Sequence, residues 1–248
     1  MADQAVPGQS TWKPVTKSST YELVIDAIEE RIMNGSLTVG DPLPPERELA
    51  GRLEVSRASV REALRVLESL GVIRSNGGSG RAAGTFVAAM PSAALSRFLR
   101  LHVALANFSI EEVIETRIQL ETSSATLASS RIRKDDIAHL NAHLAIMDTP
   151  GVSLEAFNDA DAAFHVAIAE ATGNQLFSDL TEAIRNSLRL PILRAFGTVP
   201  DQEALMVQLQ SQHHGILDAI VAHEAQTAAR LTEDHITTAV TALQLTLR

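Results

Sequence analysis

Two groups of side chains in this 248-residue sequence have the types and spacing to do chemistry. In DAAFHVAIAEATGN, Asp161 and His165 stand four apart, so on a helix a carboxylate and an imidazole share one face. Further imidazoles are available at His213 or His214, in HHGILDAI, and at His235, in LTEDHI. One carboxylate and three imidazoles suit a divalent transition metal: zinc first, with nickel or manganese as alternatives, since nitrogen and oxygen ligands fit all three. Any single histidine of the eight in the chain is an ordinary residue. A metal site requires them to face one another from different helices. The second group is SRASVREALR, where Arg57, Arg61 and Arg65 recur every four residues and form a basic stripe on a helix. Val60, Ala63, Leu64 and Leu67 fall on another side, leaving the arginines free to give paired hydrogen bonds to guanine edges or to clamp phosphates.

The elements that must position these groups can be read from periodicity and punctuation. Residues 1–18 are rich in Ser, Thr, Pro and Gly and read as a flexible tail. YELVIDAIEERIMNG predicts a helix with Leu23, Ile25, Ile28 and Ile32 as its apolar positions and a left-handed stop at Asn34-Gly35. A turn-rich connector, SLTVGDPLPP, follows. Pro45 can begin a short helix, PERELAGRL, with Glu46 and Glu48 at the positive end of its dipole. After a turn at Val55, Ser56 caps the arginine helix, which runs to Leu70-Gly71. Val72-Ile73 and Thr85–Ala88 then read as a hairpin around a glycine-rich tip.

Beyond a linker near Pro91 the pattern is helical throughout, over 93–106, 109–130, 134–148, 153–172, 174–196, 202–222 and 224–246. The expected class is mainly α: a winged helix-turn-helix of three helices and a β-hairpin over 19–90, then an all-α antiparallel bundle of about seven helices over 91–248.

Composition narrows the chemistry. Without cysteine there are no disulfides, thiolate catalysis or sulfur-ligated metals. The opening residues lack the pattern of a signal peptide and no apolar run reaches spanning length, so the expectation is a cytoplasmic protein with no membrane partner. The net charge of -9 is uneven: 10 Lys/Arg face 11 Asp/Glu up to Met90, and 11 face 19 beyond it. A nearly neutral first part can still present a local basic face.

The stretch GSLTVGDPLPPERELAGRLEVSRASVREALRVLESLGVI, followed by GSGRAAGTFV, resembles the winged helix-turn-helix head of GntR-type bacterial transcription regulators, over roughly residues 20–88. The resemblance implies DNA contacts from Arg47, Ser56, Arg57 and Arg61, with Gly78 and Gly80 in the wing. Arg65 is a further candidate, although Glu62 and Glu68 could pair with it instead. Pro45 stands where many members have a capping Ser, and the tip NGGSGRAAG is longer than the commonest form.

From about residue 94 the chain resembles the FCD ligand-binding domain of the FadR subfamily. The marks are Arg117-x3-Glu121, Asp161-x3-His165, Gly173-Asn174, His213 followed by Ile216 and Ala219, and His235. Metal-binding members use an Asp and three His, which carry over to Asp161, His165, His213 and His235. The implied effector is a small carboxylic acid, with Arg117 as a second anchor and Asn174 as a pocket residue. A salt bridge to Glu121 and a helix cap are the competing roles of those two.

The reading is a ligand-responsive regulator and not an enzyme: a homodimeric repressor released from a palindromic operator in double-stranded DNA. The alternative is a hydrolase-like metalloenzyme using the Asp/His set.

Overall fold

In the computed structural model, residues 19–76, 84–88 and 92–245 are described. The expected tail and the wing positions Gly78 and Gly80 lie outside them. The chain divides into two compact units, Met1–Met90 and Pro91–Arg248.

The first unit contains α1 (Thr20–Met33), α2 (Glu46–Arg52), α3 (Arg57–Ser69), β1 (Ile73–Asn76) and β2 (Gly84–Val87). The Glu22 carboxylate accepts the Ser19 N–H at 2.8 Å at the start of α1, and Gly35 at φ 76° closes its far end. Val24 and Ile28 are buried on α1, whereas Leu23 is 54% exposed. Ile25, Ile28 and Ile32 face the core as the sequence suggested, joined by Tyr21 and Val24, and Leu23 is the expected position that turns outward.

Pro45 is the N-cap of α2 and not its first helical residue, and no side chain caps that end. Ser56 caps α3 by accepting the Ser59 N–H at 3.1 Å. Between α2 and α3 the chain turns through Glu54 at φ 54°. Val60, Ala63, Leu64 and Leu67 close over a core with Val24, Ile28, Leu49 and Ile73.

β1 and β2 pair antiparallel from Ile73↔Val87 to Asn76↔Gly84. The connector after α1 is more than a turn: Gly40 and Leu43 donate to Val87 and Thr85, and Val87 donates to Asp41, so this segment covers the free edge of β2. Its prolines hid that role.

The second unit comprises α4 (Ser92–Ala104), α5 (Ile110–Arg131), α6 (Lys134–Met147), α7 (Leu154–Ala171), α8 (Gln175–Phe196), α9 (Gln202–Val221) and α10 (Ala225–Ala242). α7 packs against α5, α6 and α8, α10 against α5 and α9, and α4 against α8. Phe157, Phe164, Leu140, Leu188, Ile216 and Ile236 belong to its continuous core. A cluster of buried charged and imidazole side chains, among them Arg117, Glu121, His165, Arg185, His213 and His235, interrupts that core.

Candidate metal centre and nucleic-acid interface

Asp161 and His165 project from adjacent turns of α7, His213 from α9 and His235 from α10. Each supplies one donor atom to a group lying within 4.8 Å of one another. The three histidines are 0–2% exposed. Asp161 Oδ1 is the common point, at 2.7 Å from His213 Nε2, 3.5 Å from His235 Nε2 and 3.9 Å from His165 Nε2. The 2.7 Å approach lies off the direction of a ring N–H, so His213 Nε2 has no hydrogen-bond partner, and neither has His165 Nε2. His214, by contrast, faces outward and pairs with Asp148 at 2.9 Å.

A second layer of charge holds these donors. The His165 Nδ1–H lies 2.9 Å from Glu121 Oε2, which leaves Nε2 as the ring's lone pair. Glu121 accepts from Arg117 Nε at 2.9 Å and from Arg185 Nε and Nη2 at 2.8 and 2.7 Å. Arg185 also donates through Nη1 to Asp161 Oδ2 at 2.5 Å, turning Oδ1 toward the imidazoles. Arg185 was not anticipated, because nothing local marks an arginine whose partners lie 64 and 24 residues away.

These contacts set the protonation states. Burial opposes the charge on Glu121 and Asp161, but Arg117 and Arg185 beside the first, and Arg185 beside the second, hold both well below the usual carboxylate range. Burial, reinforced by the Arg185 charge, pushes His165 down to about 4, and burial with the neighbouring His213 pushes His235 well below its ordinary value. His165 and His235 are therefore neutral at pH 7, as ligation requires.

The donor set fits a divalent metal. Atoms bound to one ion at ~2.0–2.2 Å lie at most about 4.4 Å apart, so the observed spread needs an adjustment of a few tenths of an ångström. Buried ring nitrogens without hydrogen bonds are otherwise costly.

Beside the set lies a cavity of about 20 Å³, lined by Arg117, Asn158, Asp161, Phe196, His235 and Leu243 among others. It has room for about one water. Arg117 thus borders the centre while spending its Nε on Glu121. Asn174 is not brought there: it is exposed and caps α8 by accepting the Leu176 N–H at 3.1 Å.

In the first unit, Arg47, Ser56, Arg57, Arg61 and Arg65 are all exposed. Arg61 grips Glu46 through Nε and Nη2, the shortest contact being 2.9 Å. Arg65 has only a 3.9 Å approach to Glu62. Glu68 does not pair with it, since its carboxylate accepts the Ser75 N–H of β1 at 2.9 Å.

A helix-turn-helix with an arginine-faced second helix, joined to an all-helical unit with a buried polar centre, defines a ligand-responsive DNA-binding transcription regulator. Residues 20–82 match the bacterial regulatory proteins of the gntR family, and residues 112–238 match the FCD domain. The chain belongs to the GntR family, in its FCD-containing branch.

Among curated relatives, it is 30% identical over 232 residues to the Escherichia coli HTH-type transcriptional repressor NanR, covering 90% of this chain and 84% of that one. It is 28% identical over 208 residues to LutR of Bacillus subtilis, covering 83% and 93%. It is also 28% identical over 226 residues to the Escherichia coli Glc operon transcriptional activator, covering 88% and 86%. The solved structure of Streptococcus agalactiae GntR shares the fold, with a TM-score of 0.59 at 23% identity, over 88% of this chain and 97% of that one. This family consists of transcription regulators, which sets aside the hydrolase alternative. Among the described residues, no helix is long and apolar enough to cross a membrane.

Proposed function

We propose that this regulator is a homodimeric repressor whose second unit holds a divalent metal, zinc first, on Asp161, His165, His213 and His235, and releases a palindromic operator when a small carboxylic acid binds there. The observation carrying this reading is the convergence of three buried imidazoles on one carboxylate oxygen, with ring nitrogens left without hydrogen bonds. The metal would polarise and anchor an effector carboxylate or hydroxyl.

Charge supports an acid. Glu121 and Asp161 balance Arg117 and Arg185, so a divalent ion brings two uncompensated positive charges that an anionic effector offsets. Arg117, on the wall of the adjoining cavity, is the protein group placed to take a second carboxylate oxygen. That cavity must widen to admit any organic acid, and the widening gives an effector the means to favour one arrangement of the chain over another.

On the DNA side, Arg57 and Arg61 are assigned base contacts, and Arg47, Arg65 and the capped start of α3 at Ser56 phosphate contacts. Repression is the sign assigned, following the NanR repressors; the Glc operon activator carries the opposite sign on a similar chain. Dimerisation follows from the head, since one helix reads too few base pairs for adequate affinity.

The test is selection of genomic fragments by the metal-loaded protein, then release of a retained fragment by a panel of small acids. Release that disappears in a His213→Ala/His235→Ala variant still able to hold DNA supports the reading. Release that persists in that variant overturns it.

A further inference from the structure

Of the eight histidines, three form the buried centre. Three others are occupied: His102 Nδ1 meets Asn107 Nδ2 at 2.7 Å, His214 pairs with Asp148, and His223 Nδ1 donates to the Ser129 carbonyl. His139 and His143 remain. They stand one turn apart on α6, and among the described residues neither makes a hydrogen bond.

Both line an open groove of about 490 Å³ between α6, α7 and α8, floored by Ala162, Ala163 and Val166. Their ring centroids are 4.8 Å apart, inside the 4.3–5.4 Å range spanned by the three ring pairs of the buried centre. Two imidazoles bound side by side to one ion at ~2.1 Å bring their centroids to roughly 4.5–5.5 Å. From α7, Glu170 Oε2 reaches 3.9 Å from His139 Nδ1. That is too long for a hydrogen bond but within the span of two donors on one ion, and equal to the His165–Asp161 separation at the buried centre.

We propose that His139, His143 and Glu170 form a second, solvent-facing site for a divalent transition metal, distinct from the buried centre. An i, i+4 histidine pair on a helix is a chelate because both rings lean over the same turn, and Glu170 on the neighbouring helix, within ion-pair distance of His139 but not of His143, turns inward on binding to add a third donor and a negative charge. Three donors leave coordination positions open toward the groove, whose floor also includes Arg185, the side chain that orients Asp161. His139 and Glu170 are 57% and 52% exposed, so their side chains must be ordered on binding and the site is weaker and faster to exchange than the buried one.

The experiment is a titration of the metal-free full-length protein with Zn²⁺ against a chromophoric chelator, repeated with Cu²⁺ and read by electron paramagnetic resonance. Two equivalents per chain are expected, one tight and one weaker. The weaker Cu²⁺ signal should carry the splitting of two imidazole nitrogens. His139→Ala/His143→Ala should abolish only the weaker equivalent, Glu170→Gln should weaken it about tenfold, and His213→Ala/His235→Ala should abolish only the tight one. The groove substitutions are at the surface, and unchanged circular dichroism checks their folding. A single equivalent in the wild type overturns the site. So does a weaker equivalent that survives His139→Ala/His143→Ala, or one removed equally well by His214→Ala.

Discussion

Glu121 carries more of the buried centre than its place outside the donor set suggests, because it fixes the His165 tautomer and accepts hydrogen bonds from two guanidinium groups at once. Glu121→Gln should lower metal affinity by about 10–100-fold. It should also destabilise the metal-free protein by about 3–5 kcal/mol, since a buried positive charge loses its partner; chelator competition and thermal unfolding would read the two effects separately. His165 adds a pH dependence. Its folded-state value of about 4 lies below the ordinary imidazole value, so the unfolded chain takes up a proton over a range where the folded chain does not. The resulting stability is present above about pH 6.5 and lost as pH falls toward 4. Denaturant midpoints of the metal-free protein should drop across that window, and His165→Gln should flatten the drop. On the DNA face, Arg61 is held by Glu46 when no DNA is bound, so its guanidinium exchanges one anionic partner for another on binding. Arg57→Ala and Arg61→Ala should each cost about 1–3 kcal/mol on operator DNA and less on unrelated DNA. Fluorescence anisotropy on both duplexes checks this, and equal losses on the two would reassign these residues to phosphate contact.

At the scale of elements, the local signals were the legible ones. The Ser56 cap, the Gly71 stop after α3 and the arginine stripe each depend on residues within one or two turns, and they stand in the structure where their spacing put them. Ser56→Ala should cost about 1 kcal/mol, seen as a lower melting temperature of the first unit. The apolar face of α1 was legible at Ile25, Ile28 and Ile32 but missed at one position, because apolar residues run from Leu23 to Ile25 and only packing against α3 decides that Val24 goes in and Leu23 out. The strand-like edge beside β2 was illegible for a different reason: Pro42, Pro44 and Pro45 read as turn, yet Gly40 and Leu43 keep the amides that pair. In the helical unit only Asp161 and His165 were legible from helical spacing; His213 and His235 came from the family resemblance, which also chose His213 over His214. The adjacent His213 and His214 are separated by about 100° on α9, and one turns inward while the other reaches Asp148. Arg185 shows where such reading stops, since a side chain whose function lies in charges from α5 and α7 has no local signature.

For the whole molecule, two separate cores imply two separable stabilities. A metal that binds only the folded second unit stabilises that unit by mass action, about 2.7 kcal/mol at a free concentration one hundred times the dissociation constant. It has no term to add to the first unit, whose core contains none of the ligands. Calorimetry should therefore show one transition that rises with added Zn²⁺ and one that stays fixed. His213→Ala/His235→Ala should remove the rise, whereas Arg57→Ala/Arg61→Ala should leave it intact, because these arginines belong to the first unit and share no partner with the centre. Operator DNA should act in the opposite sense, raising the first transition while leaving the second in place when no effector is present. Adding the acid to the DNA-bound, metal-loaded protein is then the test of linkage. If the acid binds the second unit more tightly in the DNA-free arrangement, it must lower the first transition toward its DNA-free position as it raises the second, because the coupling is reciprocal. An acid that raises the second transition and leaves the first untouched is a ligand without a regulatory effect.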